Sequence, residues 1–279
     1  MRNNLIIIFT LLVIGSSCKP ALNAGLTMEE VMALRSQEAK ALESNADIVN
    51  CEKNTQHEHN AYVVLNNMWG EANLKKDSAA LCTFSKGERF GWKWSVPNHA
   101  KGVIGYPSIR VGPGPWRNDL ARMNGLPKQI NTINHLSVDF DTEIYVKHKT
   151  YNLAVDIWLN ETLPANKDNI TTEIMVWEDH YDFNSYGKKV GELVTDFGAY
   201  DVMSGYLKKE EWQQDWQYYA FVRQDPRKSG HLDLMVFIDY LIKNHGLNPN
   251  DYVTSVEFGN EIGDSSGFTL FKDFKFDLE

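Results

Sequence analysis

Two glutamates occupy runs where a carboxylate is costly. Glu173 lies in TTEIMVW (171–177) and Glu261 in VEFGNEIG (256–263), both apolar and rich in strand-forming residues. A charge in such a setting needs either a partner or a use. Strand alternation puts Glu173, Met175 and Trp177 on one face, and in YNLAVDIWL (151–159) it groups Ala154, Asp156 and Trp158 in the same way. The intervening stretch 160–170 is long enough for these two strands to pair antiparallel, which would bring Asp156 beside Glu173. In the third run Glu257, Gly259 and Glu261 share a face if the strand stays regular, and a β-bulge at Gly259 would alter that. Acids on one aromatic-lined face are what glycoside hydrolysis needs. One carboxylic acid protonates the leaving oxygen, a second attacks or activates water at the anomeric carbon, and tryptophan faces hold the sugar rings. Taken singly, each of these acids is more simply a solvent-facing strand residue. The combination with Trp69, Trp92, Trp94, Trp158 and Trp177 shifts the reading to carbohydrate chemistry, although on spacing alone a non-catalytic glycan-binding domain fits nearly as well.

The elements that must position these residues are strands. Runs such as AYVVLNN, GWKWSV, LSVDFDTEIYV, YNLAVDIWL, TTEIMVW, QYYAFV, HLDLMV, YVTSVEFG and GFTLFKDFKFD are β-branched and aromatic, with Gly, Pro, Asn or Asp between most of them. This density predicts an all-β sandwich or jelly roll of two antiparallel sheets. One stretch, FIDYLIKNHG (237–246), reads as a short helix stopped by Gly246. No internal repeat or low-complexity tract interrupts the chain, so residues 50–279 are expected to form one domain. A length of 279 residues and 43% hydrophobic content suffice for such a core. The net charge of −9 argues against nucleic acid as a partner and for a neutral or weakly charged ligand.

Residues 1–18 (MRNNLIIIFTLLVIGSSC) have the basic start, apolar run and small residues of an export signal, too short to span a membrane. The small residues before Cys18 are similar to a bacterial lipobox, so Cys18 is expected to carry lipid and to be the only membrane attachment; the alternative is a secreted protein cleaved past Cys18. Setting Cys18 aside leaves Cys51 and Cys82, which an oxidising compartment could join and which otherwise are two buried thiols. Residues 19–49 carry a capping-box pattern at Thr27 and Glu30 and weak helical periodicity, as a helical spacer or a docked helix would.

Seven strings in order, NNMWG (66–70), GWKWS (91–95), YPSIRVG (106–112), NLAVDIWL (152–159), EIMVW (173–177), YYAFV (218–222) and EFGNE (257–261), together resemble glycoside hydrolase family 12 over nearly the whole chain after Cys51. The resemblance implies a β-jelly roll with an open concave cleft and a retaining endo-β-1,4-glucanase, acting on cellulose, mixed-linkage glucan or xyloglucan. It implies Glu173 as nucleophile, Glu261 as general acid/base and Asp156 as the acid hydrogen-bonded to the nucleophile. Met175 would pack beneath the reacting sugar, and Asn67 and Trp69 would bind sugar on the glycone side. With Trp92, Trp94 and Trp177 these complete the expected substrate-binding set. A Cys51–Cys82 disulfide occurs at this place in some members, which strengthens the pairing. Glu257 becomes a neighbour rather than a catalyst. The expected enzyme is a monomer that needs no cofactor or metal.

Two negative charges in one cleft repel, so Glu261 should be raised toward about 6 while hydrogen bonds lower Glu173. A third acid at Asp156 makes a proton shared between Asp156 and Glu173 the expected state of the free enzyme. The chain departs from the family pattern at Asn260, where threonine is usual and which alternation points away from the cleft, and in 179–191, which lacks a Pro-Gly turn. His57 and His59 read as surface residues rather than metal ligands. GPGP (112–115) reads as a stiff turn, and Asn160 and Asn169 head glycosylation sequons that a bacterial lipoprotein leaves bare.

Overall fold

The computed structural model describes residues 46–70, 79–96, 102–116, 121–147, 150–208 and 215–279. The expected export signal, Cys18 and the expected spacer helix lie outside the described residues.

Two sheets stack face to face. The six-stranded sheet runs in the order β1 (Ile48–Asn50), β4 (Ala80–Lys86), β5 (Arg89–Ser95), β16 (Ser266–Leu278), β8 (Leu136–Lys147) and β14 (Ser229–Asp233). The larger sheet runs β11 (Lys188–Thr195), β12 (Gly198–Leu207), β13 (Trp216–Arg223), β10 (Ile170–Tyr181), β9 (Tyr151–Asn160), β15 (Tyr252–Gly259), β6 (Ser108–Val111), β3 (Tyr62–Asn66) and β2 (Thr55–His59), with the short β7 (Lys128–Gln129) beside β15. Pairing is antiparallel except between β10 and β13. This is the two-sheet jelly roll expected from the strand pattern.

The core follows from alternation on facing strands. Val155 and Ile157 of β9, Ile174 and Val176 of β10 and Phe258 of β15 meet Trp92, Phe90 and Phe271 of the other sheet in one buried apolar cluster. The single α-helix among the described residues, α1 (Met235–His245), covers one end through Phe237, Ile238 and Leu241 and stops at Gly246 in the left-handed conformation (φ 72°). The opposite faces of β9, β10, β13 and β15 remain for the cleft.

Candidate active site

The register of the central strands assembles the acids. Asp156 of β9 lies directly across from Met175 of β10 on one side and from Glu257 of β15 on the other, while Glu173 is paired with Trp158. Asp156 is therefore the diagonal neighbour of Glu173, as the alternation argument required. Past Gly259 the chain leaves regular strand geometry, and Ile262 bridges Gly105 and Tyr151, which brings Glu261 back over the same face. Asp156, Glu173, Glu257 and Glu261 all line one cleft of about 620 Å³.

Each candidate glutamate is held by a donor that the sequence reading did not name. The indole N–H of Trp216, the first residue of β13, donates to Glu173 Oε2 at 2.7 Å. Asn152 takes Glu261 from two sides: its Oδ1 accepts from the Glu261 backbone N–H at 2.7 Å, and its Nδ2 donates to Oε2 of the carboxylate. Asn152 belongs to the same alternating face as Ala154 and Asp156, so the period of two already carried that signal. Trp216 stands just outside the apolar run QYYAFV, and nothing in its spacing marks it.

Burial raises these acids together. Glu261 is pushed up to about 7 by desolvation, against the hydrogen bond from Asn152. Glu173 also lies above the ordinary carboxylate range, because its desolvation, with Glu261 and Glu257 nearby, outweighs the Trp216 hydrogen bond. The expected lowering of Glu173 is thus corrected: one donor does not offset a shared low-dielectric site. Asp156 is raised as well, by burial and then by Glu173, Glu257 and Glu261, against a hydrogen bond from Trp158, and its Oδ1 has no hydrogen-bond partner. Glu257 accepts from Ser108 Oγ at 2.8 Å.

Around the acids, Asn67, Trp69, Met175 and Trp177 line the cleft as expected. Trp69 is 43% exposed, and Met175 lies under the Tyr218 hydroxyl, which donates to its sulfur. Trp177 stacks on Phe183 with centroids 5.4 Å apart, so the segment after β10 closes over the cleft. Trp92 and Trp94 are a correction. Both belong to β5 of the other sheet, are buried between the sheets, and spend their N–H groups on Asn260 and Ser265. They are core, not sugar platforms. Trp116, Trp158 and Trp216 line the cleft in their place. Asn260 indeed points away from the cleft, but it is a buried junction that accepts from Trp92 and Thr269 and donates to the Asn152 carbonyl.

The outlying signals stay outside this site. Among the described residues no group of three or more His, Cys, Asp or Glu is arranged to hold a metal. Asn160 of the first sequon is fully buried, with its amide on Asn166 and Asn169. Cys51 and Cys82 form a disulfide.

Comparison with known proteins finds relatives over most of the chain. Endoglucanase S of Pectobacterium parmentieri is 26% identical over 79% of this chain and 83% of its own length. A xyloglucan-specific endo-β-1,4-glucanase A of Emericella nidulans is 24% identical over 75% and 82%. Among solved structures, a family 12 xyloglucanase from Bacillus licheniformis superposes with a TM-score of 0.76 at 24% identity, covering 83% of this chain and all of that one. The model of glycosyl hydrolase family 12 matches residues 60–279, the span that holds both sheets' central strands and all four cleft acids, and the chain belongs to that family.

Proposed function

We propose that this protein is an endo-acting β-1,4-glucanase that retains anomeric configuration. Glu173 is the nucleophile and Glu261 the general acid/base. The observation that carries this reading is that Glu173 and Glu261 line one open cleft, each with a dedicated side-chain donor, Trp216 or Asn152. A non-catalytic glycan-binding domain has no need of two half-buried carboxylates kept in separate hydrogen-bond settings.

In this mechanism ionised Glu173 attacks the anomeric carbon while protonated Glu261 gives its proton to the departing oxygen. Water, deprotonated by Glu261, then releases the sugar with its original configuration. The Trp216 N–H favours the ionised form of Glu173 and so opposes, without outweighing, the burial that raises it, as the Asn152 amide does for Glu261. Asp156, raised by burial and by Glu173, Glu257 and Glu261 beside it, takes a proton that the coupled acid cluster retains. The names of the relatives point to β-glucans as the substrate class, with xyloglucan prominent among them. An open cleft walled by Trp69, Trp116 and Tyr186 supports attack within a polymer rather than at its end.

The test is reducing-sugar release from carboxymethylcellulose, mixed-linkage glucan and xyloglucan by protein lacking residues 1–18, beside its Glu261→Gln and Glu173→Gln variants. Wild-type release that falls by about a thousandfold or more in both variants is expected, since each removes a group acting in the transition state. Hydrolysis at the full rate by Glu173→Gln would sink the nucleophile assignment, and glucan binding without release would favour the binding-domain reading. The same assay across pH on Asp156→Asn tests the shared proton: full activity with an unchanged profile would exclude it.

A further inference from the structure

The turn GPGP ends in Trp116, and the structure gives it a purpose. Gly112 (φ 85°) and Gly114 (φ 67°) both adopt left-handed backbone, and a Cβ at Gly112 would lie 2.3 Å from the Thr254 carbonyl. Only glycine lets this turn sit so tightly against β15. The chain then presents Trp116 to the cleft, 41% exposed. Its ring meets Trp158 edge-on with centroids 5.5 Å apart and Trp216 at the same distance, while Trp158 and Trp216 are 5.8 Å apart. Three indoles from three separate elements thus form a closed triangle. Its innermost member is the one whose N–H reaches Glu173 at 2.7 Å. Trp216 has two rotatable side-chain torsions, and ring contacts from Trp116 and Trp158 restrain them.

We infer that Trp216 is a positioning residue for Glu173 and that Trp116 is the lock that holds it, so that a sugar seated against the exposed face of Trp116 also fixes the orientation of the nucleophile. This rests on the reading of Glu173 as nucleophile. It assigns Trp116 more than a binding contact: losing its ring should alter how Glu173 ionises, although Trp116 itself does not bond to it.

The experiment uses a 2,4-dinitrophenyl 2-deoxy-2-fluoro-β-cellotrioside. Glu173 would form a bond to C1 as the C1–oxygen bond breaks, and dinitrophenolate leaves with the electron pair without needing a proton from Glu261. The acid limb of inactivation then reports ionisation of Glu173 with the acids coupled to it, free of any need for proton donation by Glu261. Peptide mass mapping of the labelled protein comes first; label on a residue other than Glu173 would refute the nucleophile reading itself. With label on Glu173, Trp216→Phe is expected to move the acid limb up by about one pH unit, roughly a tenfold slower rate on the limb, because the ionised carboxylate has lost its donor. Trp116→Ala is expected to move it the same way by about half as much, and Trp116→Phe to restore most of the wild-type limb. If Trp116→Ala instead raises only the concentration for half-maximal inactivation and leaves the limb in place, Trp116 is a sugar contact and the lock is wrong. An unshifted limb in a Trp216→Phe protein that keeps its thermal transition would overturn the positioning role. Trp116, being exposed, supplies a variant that is not expected to disturb folding.

Discussion

At the scale of single residues, the acid proposed as proton donor also weakens the fold. Glu261 is raised to about 7, so between the ordinary glutamate range and that value the folded state binds more protons than the unfolded one. Stability therefore falls as pH rises through this window, the reverse of an acid held in a salt bridge. Glu261 keeps part of its surface open to the cleft, which moderates the penalty. We expect Glu261→Gln to melt roughly 2–5 °C above the wild type at pH 8 and at about the same temperature at pH 4, a difference read by calorimetry at the two pH values. In the wild type, kcat/KM should decline above neutral pH as the coupled Glu173–Glu261 site loses its last proton. A wild type that melts above Glu261→Gln at pH 8 would contradict the sign. The two glutamates themselves were legible in the sequence, because an acid in an apolar strand stands out. Trp216 was not, because its role depends on β13 lying beside β10, which no local spacing encodes. Trp92 and Trp94 show the same limit from the other side: alternation separates two faces but does not say which sheet, or which face of it, meets the cleft.

At the scale of elements, the central strands β9, β10 and β15 were readable as apolar alternating runs. The edge strand β11 and its neighbour β12 were not, since KKVGELVT and GAYDVMSGYL carry charges and glycines that interrupt an apolar alternation. The parallel pairing of β10 with β13 also has no sequence signature, because it depends on the crossover through β11 and β12. HLDLMV, read as one strand, is divided: β14 ends at Asp233 and α1 starts at Met235. The most consequential element feature is the bulge in β10 between Trp177 and Asp179. It places Glu178 inside, fully buried, where Arg227 Nε pairs with one oxygen and the Tyr200 hydroxyl donates to the other at 2.6 Å. Arg223 Nη1 stands 3.9 Å away and donates to the same tyrosine. This buried network fixes the direction in which the chain leaves Trp177, and hence the stacking of Phe183 on it. Glu178→Ala would leave Arg223 and Arg227 without their anion, at a cost of about 3 kcal/mol or more. Urea unfolding should show that loss, and a variant within 0.5 kcal/mol of wild type, an order-of-magnitude bound for unconstrained surface sites, would mean the network is not structural.

At the scale of the whole molecule, the chain must pass between sheets without loosening the cleft edge. Cys51 follows β1 of the smaller sheet and precedes β2 of the larger, and its disulfide to Cys82 in β4 closes a loop spanning 31 residues. That loop contains β2, β3, Asn67 and Trp69. Asn66 adds a second tie there, its amide donating to the carbonyls of Asn50 and Leu81. The proposed catalytic pair, Glu173 and Glu261, stands elsewhere, on β10 and just beyond β15, carried by strands paired on both sides. Breaking the bridge should therefore separate stability and binding from chemistry. In the chain-entropy view a loop of this size contributes about 3 to 4 kcal/mol, equivalent to roughly 6–12 °C for a domain of this length. The Cys51→Ser/Cys82→Ser protein should melt lower by that amount and show a KM for long glucans raised several-fold, with kcat at 25 °C within about twofold of wild type. A comparable loss in kcat would place Trp69 and its loop in mechanical contact with the reacting centre, and the division between a rigid catalytic strand set and a stapled binding edge would have to be abandoned.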